Sequence, residues 1–197
     1  MPFSIARAEV PAGVATDDFI LRPIAVEDAE RDYAAVMASR EHLRTWEQSS
    51  WPADDFTVEE NRADVEMLAQ RHARGDAFTY TVTDVQGAEC LGCVYLMSTT
   101  AGMYAGARIT PHTDVRWSDY EAAVYFWVRS RLLGTEVDRT LLQTLRAWLD
   151  DAWSLDGHLI VTNAAYVPQF DLFETSDLVR RFTVEERGKT SPYIAYA

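Results

Sequence analysis

The stretch from Ala122 to Trp153, AAVYFWVRSRLLGTEVDRTLLQTLRAWLDDAW, constrains this chain most. It opens with a short continuous apolar run, as a buried strand does. A loop follows that holds one glycine, Gly134. Then Val137, Leu141, Leu145, Trp148, Leu149 and Ala152 recur at helical spacing and mark the buried face of an amphipathic helix. A strand, a glycine-bearing turn and a helix together present free backbone N–H groups and the positive end of a helix dipole, an arrangement suited to a phosphate. The same turn carries Glu136 and Asp138. A carboxylate at a helix start caps the free amides itself, as Asp138 would here. Like charges about 4 Å apart near a surface also repel by on the order of a few kcal/mol. The segment therefore predicts a phosphate site and holds the groups that oppose one.

The flanking sequence places this unit in a larger sheet. Phe19 to Ile24 is an apolar run interrupted by Pro23, a first strand. Val26 to Ser39 reads as a helix with Ala29, Tyr33, Val36 and Met37 on one side, and Glu41 to Trp46 as a second, shorter one. Trp46 to Phe56 is a loop by its proline and polar content. Thr57-Val58-Glu59-Glu60 is a capping box that opens a helix to about Arg74, and Gly75 ends it. Phe78, Tyr80 and Val82 alternate with threonines, and Glu89 to Ser98 forms the second strand of a hairpin. Thr99 to Tyr120 shows no periodicity and is expected to be a long functional or mobile loop. His158 to Thr162 is a strand, Val167 to Asp177 a short helix, and Val179 to Glu185 with Tyr193 to Ala197 a closing strand pair. The order predicts an α/β (α+β) fold with a mixed sheet and helices on both faces.

Composition narrows the function classes. At 197 residues and 48% hydrophobic content the chain suits one domain with a sizeable core. No run approaches the roughly 18 apolar residues of a membrane span, and the first residues lack the apolar core of a signal peptide. The expectation is a cytoplasmic protein that does not bind membranes. A net charge of −13 argues against nucleic acid and favours cationic partners. Cys90 and Cys93 have the spacing of a redox or zinc pair. In a regular strand, residues three apart face opposite sides, so the expectation is two packed thiols. His42, His72, His112 and His158 show no ligand spacing, and no metal is expected.

In this order, these segments resemble the GNAT superfamily of N-acetyltransferases over roughly Asp18 to Ala197. Residues 1–17 then form an N-terminal extension and 18–197 a single domain. FILRPIAVEDAERDY resembles that family's opening strand and helix. ECLGCVYL is similar to its central strand, AAVYFWV to the strand that splays from its neighbour, and TLLQTLRAWL to the helix below the pyrophosphate. Asn163 matches an asparagine often found after IVT. LFETSDL resembles the L-Y-E-K-x-G-F segment. The tryptophan-rich start is more similar to the branch that modifies ribosomal-protein N-termini.

The resemblance implies a mostly antiparallel sheet with a splayed strand pair, and transfer of acetyl from acetyl-CoA to an amine. Its cofactor residues would be Phe126, Trp127 and Val128 on the splayed strand, then Arg129, Arg131, Gly134, Arg139, Thr140 and Asn163. Two registers fit the family's Q/R-x-x-G-x-G/A loop. One puts Leu133 at the Q/R position with Glu136 and Asp138 at the glycines. The other keeps Arg131 and Gly134 and puts Glu136 at the last small position. The family's proton-donating tyrosine matches Phe173, which has no proton to give, so Tyr166 is the substitute acid. Glu121 is the candidate base, with Asp119 second. Trp46, Glu47, Trp51, Asp54, Asp55 and Tyr125 would bind the acceptor, a small cationic amine or a peptide N-terminus, through cation–π and ion-pair contacts. Members of the family are often homodimers, and the sequence leaves the oligomeric state open. The alternative reading is a GNAT-fold module that has lost catalysis and binds a cationic ligand or a protein partner.

Overall fold

The computed structural model describes Phe3 and residues 10–197. In chain order the strands and helices are β1 (Val14–Ala15), β2 (Ile20–Pro23), α1 (Ala29–Ala38), α2 (Arg40–Glu47), α3 (Val58–Arg74), β3 (Phe78–Thr83), β4 (Cys90–Ser98), β5 (Arg108–Pro111), β6 (Ala122–Val128), α4 (Glu136–Ala152), β7 (His158–Asn163), α5 (Val167–Glu174), β8 (Arg180–Glu185) and β9 (Tyr193–Tyr196). The strands form one sheet in the order β1-β2-β3-β4-β6-β7-β9-β8-β5. Among the described strands, only β6 and β7 run parallel. Among the described residues, no helix is long and apolar enough to cross a membrane.

The sheet buries both faces. On one, Leu141, Leu145, Trp148 and Leu149 of α4 pack with Tyr80, Val94, Leu96, Val124 and Phe126. On the other, Val36 of α1, Leu43 of α2 and Val65 of α3 pack with Cys93 and Trp127. Further along that sheet, Ala123 and Tyr125 meet Tyr104, Leu159, Phe182 and Tyr193. Because β6 is covered on both faces, it reads as a continuous apolar run rather than an alternating one. The capping box at α3 forms as expected: Thr57 Oγ1 accepts from the Glu60 amide, and Glu60 Oε2 accepts from the Thr57 amide. Within the stretch expected as an extension, Val14–Ala15 pairs with Ile20–Leu21, and the Phe3 ring lies 5.1 Å from that of Phe78.

Three local expectations need correction. The helix expected from Val26 begins as a single 3₁₀ turn, Val26–Asp28, before α1. There the Asp28 carboxylate takes Arg22 at 2.6 Å and Arg31 at 2.7 Å. The stretch 99–120 is not one featureless loop: it holds 3₁₀ turns at Gly102–Tyr104 and Trp117–Asp119 around β5, which pairs with β8 at the sheet edge. A four-residue edge strand is too short to show periodicity.

The third correction concerns the cysteines. Val82 pairs with Gly92 but Thr83 pairs with Cys90, so Leu91 is an extra residue in β4. This bulge turns Cys90 to the same face as Cys93. Both thiols converge on the buried Asp32, with sulfur to Oδ1 distances of 3.9 and 3.3 Å. The other Asp32 oxygen accepts from Asn61 Nδ2 at 3.0 Å. Burial raises the Asp32 carboxyl above its usual range, against the hydrogen bonds from Asn61 and Cys93. The thiols are buried and free, as expected, but they share a face that regular alternation would have denied them.

Candidate functional site

The site starts where the parallel pairing stops. β6 and β7 are in register at Ala122↔His158, Ala123↔Leu159 and Val124↔Ile160, and no further. Beyond Val124, the Tyr125–Val128 half of β6 has β4 on one side and, among the described residues, no strand partner on the other. The splay therefore lies where the resemblance implies it. Gln169 of α5 bridges the opening: its Nε2 donates to the Phe126 carbonyl at 2.9 Å, while its Oε1 accepts from Thr162 at 2.8 Å. Sequence reasoning missed this side chain. Its only signal is that it is one of two polar residues, with Asp171, in the run Tyr166 to Phe173.

At the C-terminal end of β6 the chain passes through a 3₁₀ turn, Ser130–Leu132, and Gly134 at φ 71° into α4. The acidic residues here do not behave as the sequence predicts. Asp138 is fully buried and turns back to accept from the Gly134 amide at 2.9 Å. Burial raises its carboxyl above the usual range, favouring the neutral form. Glu136 points outward and pairs with Arg139 at 2.8 Å. Thr135 spends its hydroxyl on the Leu132 carbonyl. The helix start has no side-chain cap, so the amides of Glu136, Val137 and Asp138 stay open, as a phosphate requires.

The arginines expected at this loop are engaged locally. Arg129 donates to the Cys90 carbonyl at 2.6 Å and sits 3.4 Å from Glu89. Arg131 pairs with Glu89 at 2.6 Å. Arg139 also reaches the Gly134 carbonyl. Thr140 lies half-buried in the first turns of α4. Asn163 ties β7 to α2: its Nδ2 donates to the Thr45 carbonyl at 2.7 Å and its Oδ1 accepts from the Ala165 amide at 2.8 Å. Phe126 and Val128 turn their side chains toward α4, and Trp127 turns toward α1–α3, donating to the Tyr95 hydroxyl at 3.0 Å.

A cleft of 500 Å³ opens beside Tyr125 on the α2–α3 face. Trp46, Glu47, Trp51 and Tyr125 line it, together with Tyr95, Tyr193 and Glu186, none of which the sequence singled out. Asp54 and Asp55 are not in its lining. Asp54 is exposed and held by Arg44 at 2.7 Å, and Asp55 lies exposed in the adjoining turn. The segment between β8 and β9 closes one side. Gln48, at φ 54°, accepts from the Ser191 amide at 2.7 Å, and Lys189 binds Glu47 at 3.1 Å.

The acid–base groups divide differently from expectation. Glu121 precedes β6 at its paired end, about 13 Å along the strand from Tyr125. Its carboxylate lies 3.4 Å from the Asp156 amide, and it does not line the cleft. Asp119 is bound to Arg116 at 2.8 Å. Glu186 is in the cleft. One of its carboxylate oxygens is buried without a hydrogen-bond partner among the described residues. Burial pushes this carboxyl above its usual range, Lys189 opposing and Glu47 adding. Tyr125 and Tyr104 share a hydrogen bond of 2.7 Å, and burial holds the Tyr125 hydroxyl protonated. Tyr166 is the residue at the start of α5, but its hydroxyl makes no capping bond: it is buried without a hydrogen-bond partner among the described residues, and its pKa is raised first by burial and then by Asp138. Phe173 is a core residue, 5.8 Å from Phe126 and 5.4 Å from Tyr196.

Against known proteins, no family profile and no curated sequence matches. Solved structures do. The ribosomal-protein-S5-alanine acetyltransferase of Vibrio fischeri superposes with a TM-score of 0.67 at 16% identity, covering 94% of this chain and 95% of its own. RimL, a ribosomal L7/L12 α-N-protein acetyltransferase in complex with coenzyme A, gives 0.64 at 16% identity, covering 95% of each chain. RimJ of Mycobacterium smegmatis, in complex with a CoA disulfide, gives 0.65 at 16% identity, covering 94% of this chain and 82% of its own. The chain has the fold of the GNAT acetyltransferases.

The residues present fit an acyl-CoA. The half-open strand at Tyr125–Val128, the uncapped amides at the start of α4 and the inward turn of Asp138 are what a pantetheine arm and a pyrophosphate need.

Proposed function

We propose that the protein is an N-acetyltransferase that moves acetyl from acetyl-CoA to the amine of a small cationic molecule or a peptide N-terminus. One observation carries the reading: β6 loses its partner strand after Val124 at the very point where it borders the aromatic cleft. Acetyl-CoA, when bound, supplies a thioester carbonyl open to attack by an amine. Backbone groups of Tyr125–Val128 and amides of Glu136–Asp138 would hold it. Trp46, Trp51 and Tyr95 would orient the acceptor through aromatic contact.

Glu186 is our choice of base in place of Glu121. It stands in the cleft, has an unpartnered buried oxygen and is more basic than an ordinary carboxylate. It would take the proton from the ammonium, freeing the lone pair with which the neutral amine then forms the C–N bond. Tyr125, held protonated beside Tyr104, would return a proton to the departing sulfur as the C–S bond breaks. Tyr166 is the alternative donor.

The non-catalytic reading draws on Arg129, Arg131 and Arg139, all paired with protein groups. The deciding experiment measures CoA thiol release with a panel of amines and peptides across pH, for the parent and Glu186→Gln. Turnover whose acidic limb vanishes in E186Q supports the proposal. Acetyl-CoA binding with no turnover on any acceptor favours the binding module.

A further inference from the structure

Two charged groups in the acceptor cleft are not absorbed by the fold. Arg71, on the last turn of α3, lines it. Among the described residues no carboxylate forms an ion pair with Arg71, and its recorded side-chain contact is Nη2 at 3.9 Å from the Met97 sulfur. Most other arginines bordering the molecule's clefts and loops have found a carboxylate, as Arg44, Arg129, Arg131 and Arg139 have. The second group is Glu186, with its buried and unpartnered oxygen.

The remaining charges in the cleft are accounted for. Lys189 and Glu47 neutralise one another at 3.1 Å. Asp64 sits two helical turns before Arg71, about 10 Å away along α3. Burial raises its carboxyl toward the neutral form, against a hydrogen bond from Trp51.

The two uncommitted charges stand on opposite sides of the one cleft. Arg71 stands over Met97 on β4, whose neighbour Tyr95 is in register with Tyr125 on β6. Glu186 lies on the far side of Tyr125, close enough for its charge to act on the Tyr125 and Tyr193 hydroxyls. β4 and the end of β8 are four places apart in the sheet, about 19 Å, and both side chains reach into the one cleft, which leaves on the order of 10 Å between the charges. Between them lie the apolar surfaces of Tyr95, Met97 and Tyr125. An acceptor that satisfies both ends has an amine for Glu186 and an anionic group for Arg71.

We infer that the acceptor is a peptide N-terminus carrying an acidic side chain at its second or third residue, with Arg71 as the residue that selects it. At about 3.5 Å per extended residue, that position spans the gap. An amine whose own charge meets Glu186, and whose carboxylate takes a forked pair from the guanidinium, leaves neither group buried and unpaired. This inference rests on the acetyltransfer reading and adds to it a choice of acceptor.

The test uses the full chain, acetyl-CoA and three peptides that differ only at the second residue, as aspartate, asparagine or lysine. A charge-assisted pair in a partly buried cleft corresponds to about tenfold or more in kcat/KM. The parent should favour the aspartate peptide over the asparagine peptide by that factor and use the lysine peptide least. Arg71→Gln should bring the aspartate-to-asparagine ratio close to one, Arg71→Lys should restore part of it, and thermal melting should show both variants folded. Equal use of all three peptides by the parent, or a ratio that survives in R71Q, overturns the inference while leaving acetyl transfer standing. Binding of acetyl-CoA with acetylation of none of the peptides also overturns it. If acetyl-CoA itself does not bind, the underlying reading fails first, and this one with it.

Discussion

Gly92 sits where β4 comes closest to the half-open strand. It pairs with Val128, and a Cβ built on it would lie 2.1 Å from the Trp127 carbonyl oxygen and 3.0 Å from the Val128 Cα. Both obstacles are backbone, so no side-chain rotation relieves the contact. Bringing the first contact to about 3.3 Å would push β4 and β6 apart by about 1 Å, within a core packed like a crystal. Overpacking of this kind costs about 1–3 kcal/mol, and backbone obstacles place Gly92→Ala at the upper end. For a chain of this length each kcal/mol lowers the melting temperature by about 2–4 °C, so G92A should melt about 5–10 °C below the parent. The displaced atoms belong to Trp127 and Val128, in the segment proposed to carry the pantetheine arm, so acetyl-CoA affinity should fall as well. Calorimetric melting and acetyl-CoA titration read the two effects separately. A G92A protein melting within about 1 °C of the parent would refute the close approach of the two strands.

Two further predictions follow from the buried carboxylates. Arg22 and Arg31 hold the Asp28 carboxyl below its ordinary value despite its burial, so its contribution is present above pH 3.8 and is lost as pH falls through the lower folded value. Asp28→Asn should cost about 2–3 kcal/mol in urea unfolding at pH 7, discounted for the part-exposed arginines, and the gap to the parent should close in acid. A gap that is constant with pH would contradict the pairing. Asp32 shifts the other way. Its folded pKa lies above 3.8, so the folded state binds the extra proton and stability declines as pH rises through that window. Asp32→Asn keeps an oxygen acceptor for the thiols and should flatten this decline. A parent and D32N with parallel stability curves from pH 4 to pH 8 would show that Asp32 does not titrate in the fold.

The element order was legible because α4 and β3 carry strong periodicities and β6 an unbroken apolar run bounded by polar residues. The splay after Val124 was legible through likeness to a known fold, not through any property of AAVYFWV itself. The bulge at Leu91 was not legible, since an extra residue in a strand leaves no mark on its apolar pattern, and it reversed the expected facing of Cys90. Asp138 shows the limit of position-based charge arguments. Its place at a helix start predicts a group hostile to phosphate, yet it folds inward onto the Gly134 amide and leaves the outer amides open. The cleft was half legible. Trp46, Glu47 and Trp51 are neighbours in sequence and stood out together. Glu186 and Lys189 reach the same place from the other end of the chain, and the Lys189–Glu47 contact spans 142 residues. No local pattern marks a charge whose partner is that distant.

The half-open strand and the uncapped start of α4 are proposed to hold an acyl-CoA despite the acidic loop. Calorimetric titration of acetyl-CoA into the purified protein at moderate salt tests it directly. A single site of micromolar affinity, weakened in G92A, is expected. Absence of binding up to millimolar acetyl-CoA would contradict it and leave the cleft beside Tyr125 as the binding site of some other ligand.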